Sequence, residues 1–199
     1  MDLYQDDGYN VRVVMGELNE QEHEEWIARV RWHLDLSCGK MVVSGVLGEE
    51  DEFDDMPDAK AIADDGDDCL QCYLPVPPHQ YQVEVYSYAP RDLSTGWGQI
   101  VDPDLFKPIQ GIQPEPLKEY FERTRPNTPV PAWIGCEIEE DLERKQRYYE
   151  AANDAPDFIN FVVHLSPILE DLPPLELEEG GCVKWEFRKP DRCPLGLSR

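Results

Sequence analysis

Positive charge is what this sequence has least of. Lys and Arg total 18 against 42 Asp and Glu, which leaves a formal net charge of −24 over 199 residues. Phosphate backbones and anionic lipid surfaces repel such a chain, which argues against direct nucleic-acid binding and against membrane association. No basic stripe with interleaved aromatics offsets that repulsion. Long apolar runs are also missing, and none approaches the roughly 20 residues of a membrane helix. Met1–Asn10 is acidic and polar, without the basic start and apolar stretch of an export signal, so a cytoplasmic location is expected. The chain has no Gly-rich phosphate cradle and no G-x-S-x-G elbow. Its six cysteines (Cys38, Cys69, Cys72, Cys136, Cys182 and Cys193) are an even number, but in a long chain without an export signal free thiols are expected in a reducing compartment. No cofactor is expected.

Apolar and turn-forming residues are plentiful. Hydrophobic residues make up 41% of the chain, with 5 Trp, 9 Tyr and 6 Phe, enough to build a core. The 18 Pro and 13 Gly imply frequent turns, which suit a mostly β domain better than a helical bundle. The length fits a single domain over 1–199.

Period-two alternation marks the strands. Asn10–Met15 is a short candidate ended by Gly16. In Trp26–Leu36 the residues Trp26, Ala28, Val30, Trp32, Leu34 and Leu36 share one parity, and Ile27, Arg29, Arg31, His33 and Asp35 the other. With Met41–Leu47 across a turn at Ser37–Lys40, this segment predicts an antiparallel hairpin. Cys69–Val76 and Gln80–Tyr88 flank a Pro77-Pro78-His79 turn. Trp133–Glu137, Phe158–Leu165 and Cys182–Arg188 complete about seven short strands, and the expected fold is an antiparallel β-sandwich-like domain.

Helices are expected to be few and peripheral. Asn19 and Glu22 have the spacing of a capping box within Glu17–Glu25. Pro116 sits near the start of a short candidate helix, Glu115–Arg123. Glu139–Ala152 places its acids before its bases, as the helix macrodipole favours, with Leu142 and two Tyr as its buriable side chains. Three stretches lie outside this pattern: an acidic loop at 48–68, a Pro-rich excursion at 89–132, and a basic tail at 189–199 expected to be loose.

Few residues form constellations for chemistry. Cys69 and Cys72 have the spacing of half a zinc site or a redox pair, but no second such pair exists and strand residues three apart face opposite ways. Counting back from Gly66 leaves Ala63 and Ala61 where a calcium loop needs oxygens. His33 and Cys38 flank one turn with Asp35 between them, an arrangement commoner as surface residues than as a catalytic pair. His164, inside an apolar strand, reads as a hydrogen-bonded core histidine.

Clustered carboxylates remain. The 48–68 loop holds eleven Asp or Glu against one Lys. Further groups surround Glu137–Glu143 and Glu170–Glu179. Carboxylates held on a rigid scaffold attract a cationic partner and engage Arg forks. The expected function is therefore a non-enzymatic binding protein, of inhibitor or immunity type, that occupies the basic site of a nuclease or toxin. The contacts would come from Asp51, Glu52, Asp54, Asp55, Asp67 and Asp68, with Trp97 in its Gly-Trp-Gly stretch as an aromatic anchor. The alternatives are a metal protein or enzyme using a cleft under the 89–132 excursion, or a structural subunit of a larger assembly.

The segments NEQEHEEWIA, MVVSGVLGEEDEF and YLPVPPHQYQVEVYSYAP, in that order, resemble the bacterial competence protein J family of nuclease inhibitors. The likeness covers about half of the chain, while the Pro-rich excursion and the Glu139–Ala152 helix depart from it. It implies a small acidic β protein that binds a nuclease through acidic loops.

Overall fold

The computed structural model describes residues 10–44, 71–88, 115–153, 158–168, 172, 174–177 and 183–198. The chain divides into two compact units, one of Met1–Gly8, His33–Gln82 and Pro167–Asp171, the other of Tyr9–Trp32, Val83–Ser166 and Leu172–Arg199. Strand outweighs helix, as expected. No helix among the described residues is long and apolar enough to cross a membrane.

The strands are β1 (Val11–Met15), β2 (Ala28–Asp35), β3 (Lys40–Ser44), β4 (Gln71–Pro75), β5 (Gln80–Ser87), β6 (Phe158–Ile159), β7 (Phe161–Pro167), β8 (Glu186–Phe187) and β9 (Leu197–Ser198). The helices are α1 (Glu20–Glu24), α2 (Leu117–Thr124), α3 (Ala132–Ile138) and α4 (Leu142–Asn153). Five strands form one sheet in the order β1-β7-β5-β2-β8.

That sheet is mixed, which corrects the antiparallel expectation. β1 runs parallel to β7, with Val11 opposite Phe161 and Met15 opposite Leu165, whereas β2 and β8 are antiparallel. The cause is the separation along the chain: residues 16–160 lie between β1 and β7, so no tight turn dictates their direction. The expected hairpin of β2 with β3 is also replaced. β3 pairs with β4 instead, from Lys40 opposite Pro75 to Ser44 opposite Gln71. Gly39, at a φ of 71° that favours glycine, donates to Leu36 and accepts from Val76, so the turn after β2 leads β3 to β4.

α1 has five residues, too few to persist alone. Its capping box is complete: the Asn19 side chain accepts from the Glu22 amide and the Glu22 carboxylate accepts from the Asn19 amide. At its other end the Arg188 guanidinium donates to the carbonyls of His23, Glu24 and Trp26 and lies 3.7 Å above the Trp26 ring. The Tyr88 hydroxyl donates to the Glu22 carbonyl.

Two buried clusters follow. One joins Ile27 and Ala28 to Leu117, Tyr120 and Phe121 of α2 and to Trp133 and Ile134 of α3. The other gathers Trp26, Tyr86, Tyr88, Ile159, Val162 and Leu197. Full burial of each such side chain contributes about 1.5–3 kcal/mol.

Three further expectations are corrected. Trp133–Glu137 is helical, because Pro131 begins α3 and Trp133, Ile134 and Cys136 are all buried, which erases the period that separates helix from strand. Leu142, expected to be buriable, is 81% exposed, and α4 packs through Tyr148, whose ring lies where a Gly135 Cβ would stand. The tail is fixed. Cys193 and Leu197 are buried and β9 pairs with β6. The carbonyls of Cys193, Leu195, Gly196 and Ser198 accept from Arg125, Trp133, Gln21 and Arg12.

Candidate functional site

Four neighbouring strands carry a row of charges of alternating sign: His164 on β7, Glu84 on β5, Arg29 on β2 and Glu186 on β8. Arg29 and Glu186 occupy directly opposed positions, so the antiparallel register aligns them. Their contact is forked, with Arg29 Nε and Nη2 at 3.1 and 2.7 Å from the same carboxylate oxygen and Nη2 at 2.9 Å from the other. Arg29 Nη1 also lies 3.6 Å from Glu84, and the guanidinium stacks 4.8 Å from the Trp26 ring centre.

Glu84 is buried. Burial pushes its carboxyl up, but hydrogen bonds from His164 and Tyr86 and the charge of Arg29 outweigh that and hold it below the usual range. The Tyr86 hydroxyl is pushed up to about 12, first by burial and then by the Glu84 charge.

His164 has a partner at each ring nitrogen. Nδ1 lies 3.3 Å from Glu84 Oε2, and Nε2 lies 2.6 Å from the carbonyl oxygen of Gly16. An ionised carboxylate and a carbonyl only accept, so satisfying both requires both nitrogens to donate. The Glu84 bond raises the His164 pKa, burial opposes it, and the Gly16 bond adds to the rise. Neither nitrogen is left to take a proton from a substrate, so this pair positions a strand.

A groove of about 330 Å³ borders the same row. Val30, Leu172, Pro174, Leu175 and Trp185 give it an apolar lining, and the Arg29–Glu186 and Lys184–Glu176 pairs add charge. Leu175, Leu177 and Phe187 are exposed.

A second polar centre is built on the buried pair of Glu25 and Arg125. Glu25 Oε1 accepts from Arg125 at 2.8 Å, and Oε2 accepts from the Leu195 amide at 2.9 Å and from Gln21 at 3.0 Å. Arg125 also donates to the Cys193 carbonyl. Beside it, burial pushes the Cys193 thiol up to about 12, so it stays protonated and unreactive.

The residues expected from sequence to meet a partner, Asp51, Glu52, Asp54, Asp55, Asp67, Asp68 and Trp97, lie outside the described residues. So does Cys69, while Cys72 stands in β4 opposite Val43. Among the described residues no group of three His, Cys, Asp or Glu is arranged to hold a metal. Cys38 is exposed in its turn and directs its thiol to the Lys40 carbonyl.

Sequence reasoning missed the buried carboxylates Glu22, Glu25 and Glu84. For Glu84 a signal existed: it sits among aromatic and β-branched neighbours in QYQVEVYSY, where a strand buried on both faces must enclose its polar members. Comparison with known proteins finds no matching family model, no matching curated protein and no matching solved structure.

Proposed function

We propose that this chain is a non-enzymatic binding protein whose acidic surface occupies the basic site of a partner protein. The observation that carries this reading is an uneven use of charge. Arg12, Arg29, Arg125, Arg188 and Lys189 are turned inward, onto Glu22, Glu84, Glu25, main-chain carbonyls and Glu115. Around α1 and α4, Glu17, Glu20, Glu24, Glu140, Asp141 and Glu143 face solvent. Five cations thus brace the fold while these carboxylates lie outside. Although Lys40, Lys118, Arg123, Arg144, Arg147, Lys184 and Arg192 are also exposed, the net balance of the chain is strongly negative. Such a surface steers a cationic protein and speeds its association.

A nuclease or toxin fits this description. The likeness to the competence protein J family points to a nuclease. Asp51, Glu52, Asp54, Asp55, Asp67 and Asp68 are the proposed contacts, with Trp97 as the anchor.

The test is affinity capture with the purified protein at low salt, repeated at high salt, with identification of what is retained. A discrete basic protein that is released as salt rises supports the proposal. Capture that ignores salt, or no capture, overturns it.

A further inference from the structure

We propose that His164 is a proton-operated latch that holds the end of β1, an end strand of the five-stranded sheet, onto its neighbours. The geometry supplies the parts. His164 stands opposite Val14 in the parallel pairing of β1 with β7, one residue before the end of β1. Beyond Met15 the backbone turns at Gly16, whose φ of 121° favours glycine, and the Gly16 carbonyl sits 2.6 Å from Nε2. On the other side of the ring, Nδ1 faces Glu84 at 3.3 Å.

A protonated ring donates to both acceptors at once. A neutral ring donates to one and turns a lone pair on the other, whichever tautomer it takes. Loss of the proton therefore replaces one attraction by a repulsion at the point where β1 ends.

The charges around the ring favour the closed state. Glu84 on β5 contacts it, and Glu22 on α1 adds a more distant negative charge. Arg29 on β2 opposes the proton, but it is shared between Glu84 and Glu186. Arg12 of β1 is paired with Glu22 at 3.0 Å, and Tyr86 is neutral at ordinary pH. The folded state thus binds the His164 proton more tightly than the unfolded chain. The latch contributes fully below the ordinary histidine pKa of 6.5 and is lost as pH rises through the raised folded value.

Hydrogen exchange and imidazole NMR on the full chain test this. The expected result is a His164 ring with both N–H protons present near neutrality, titrating above the ordinary range. Protection of the β1 amides Val11–Met15, corrected for intrinsic exchange, should fall about tenfold between about pH 6 and about pH 9. His164→Gln should flatten that dependence. Glu84→Gln, which keeps the histidine, should move the midpoint to lower pH. A His164 that titrates in or below the ordinary range, or β1 protection whose pH dependence persists in His164→Gln, overturns the proposal, as does an unmoved midpoint in Glu84→Gln.

Discussion

At the residue scale, the buried polar contacts carry the sharpest consequences. Glu25 and Arg125 are 7% and 9% exposed at their side chains, and each also bonds to the chain between Cys193 and Leu195. Removing one partner leaves the other charged and buried without its counter-ion, with only its neutral hydrogen-bond partners. Arg125→Met should therefore destabilise the protein by about 3–5 kcal/mol in urea unfolding, whereas replacing both partners together with apolar residues should cost less. Glu115 gives an acid-side prediction. Hydrogen bonds from Arg123 and then Lys189 outweigh partial burial and bring its carboxyl to about 2. Its folded pKa is thus lowered from 4.5, so its contribution is present above that value and lost as pH falls through about 2. Lys189→Met should reduce the loss of stability across that acid range, read by circular dichroism.

At the element scale, close packing of α4 on α3 depends on one absent side chain. A Cβ at Gly135 would overlap the Tyr148 ring, so Gly135→Ala forces that ring, or the helix that carries it, to shift. The expected cost is about 1–3 kcal/mol, seen as a lower melting temperature, with Tyr148→Ala on the same background restoring part of it. Elements with a local rule were legible in the sequence. The capping box of Asn19 and Glu22 appears as expected. The alternation holds at Ala28, Val30 and Leu36 but fails at Ile27, which the same pattern put in solvent and which is buried, and it is only partial at Trp32 and Leu34, which are half-buried. Elements decided by distant contacts were not. The direction of β1 is set by β7, some 150 residues away, which no short pattern encodes. The tail carries no periodic signal, yet Arg125, Trp133 and Gln21 donate to its carbonyls. The charge row across the sheet stayed hidden for the same reason, since His164, Glu84, Arg29 and Glu186 meet only once four strands are aligned.

At the scale of the whole molecule, a net charge of −24 is an energetic burden as well as the basis of the proposed recognition surface. Self-repulsion of that size opposes compaction, and mobile ions screen it. The melting temperature should therefore rise from low to moderate salt, and a flat or falling trend would mean that exposed attractive pairs such as Lys184–Glu176 outweigh the net repulsion.

The proposed use of that charge is to meet a basic partner through exposed carboxylates. It is tested most directly by the binding of the captured basic partner to a variant with Asp51, Glu52, Asp54, Asp55, Asp67 and Asp68 changed to Asn or Gln. If these side chains form the contact surface, affinity at low salt should fall by at least about tenfold, the salt dependence should flatten, and the circular dichroism spectrum should stay unchanged. A folded variant that binds as tightly as the parent would contradict the account.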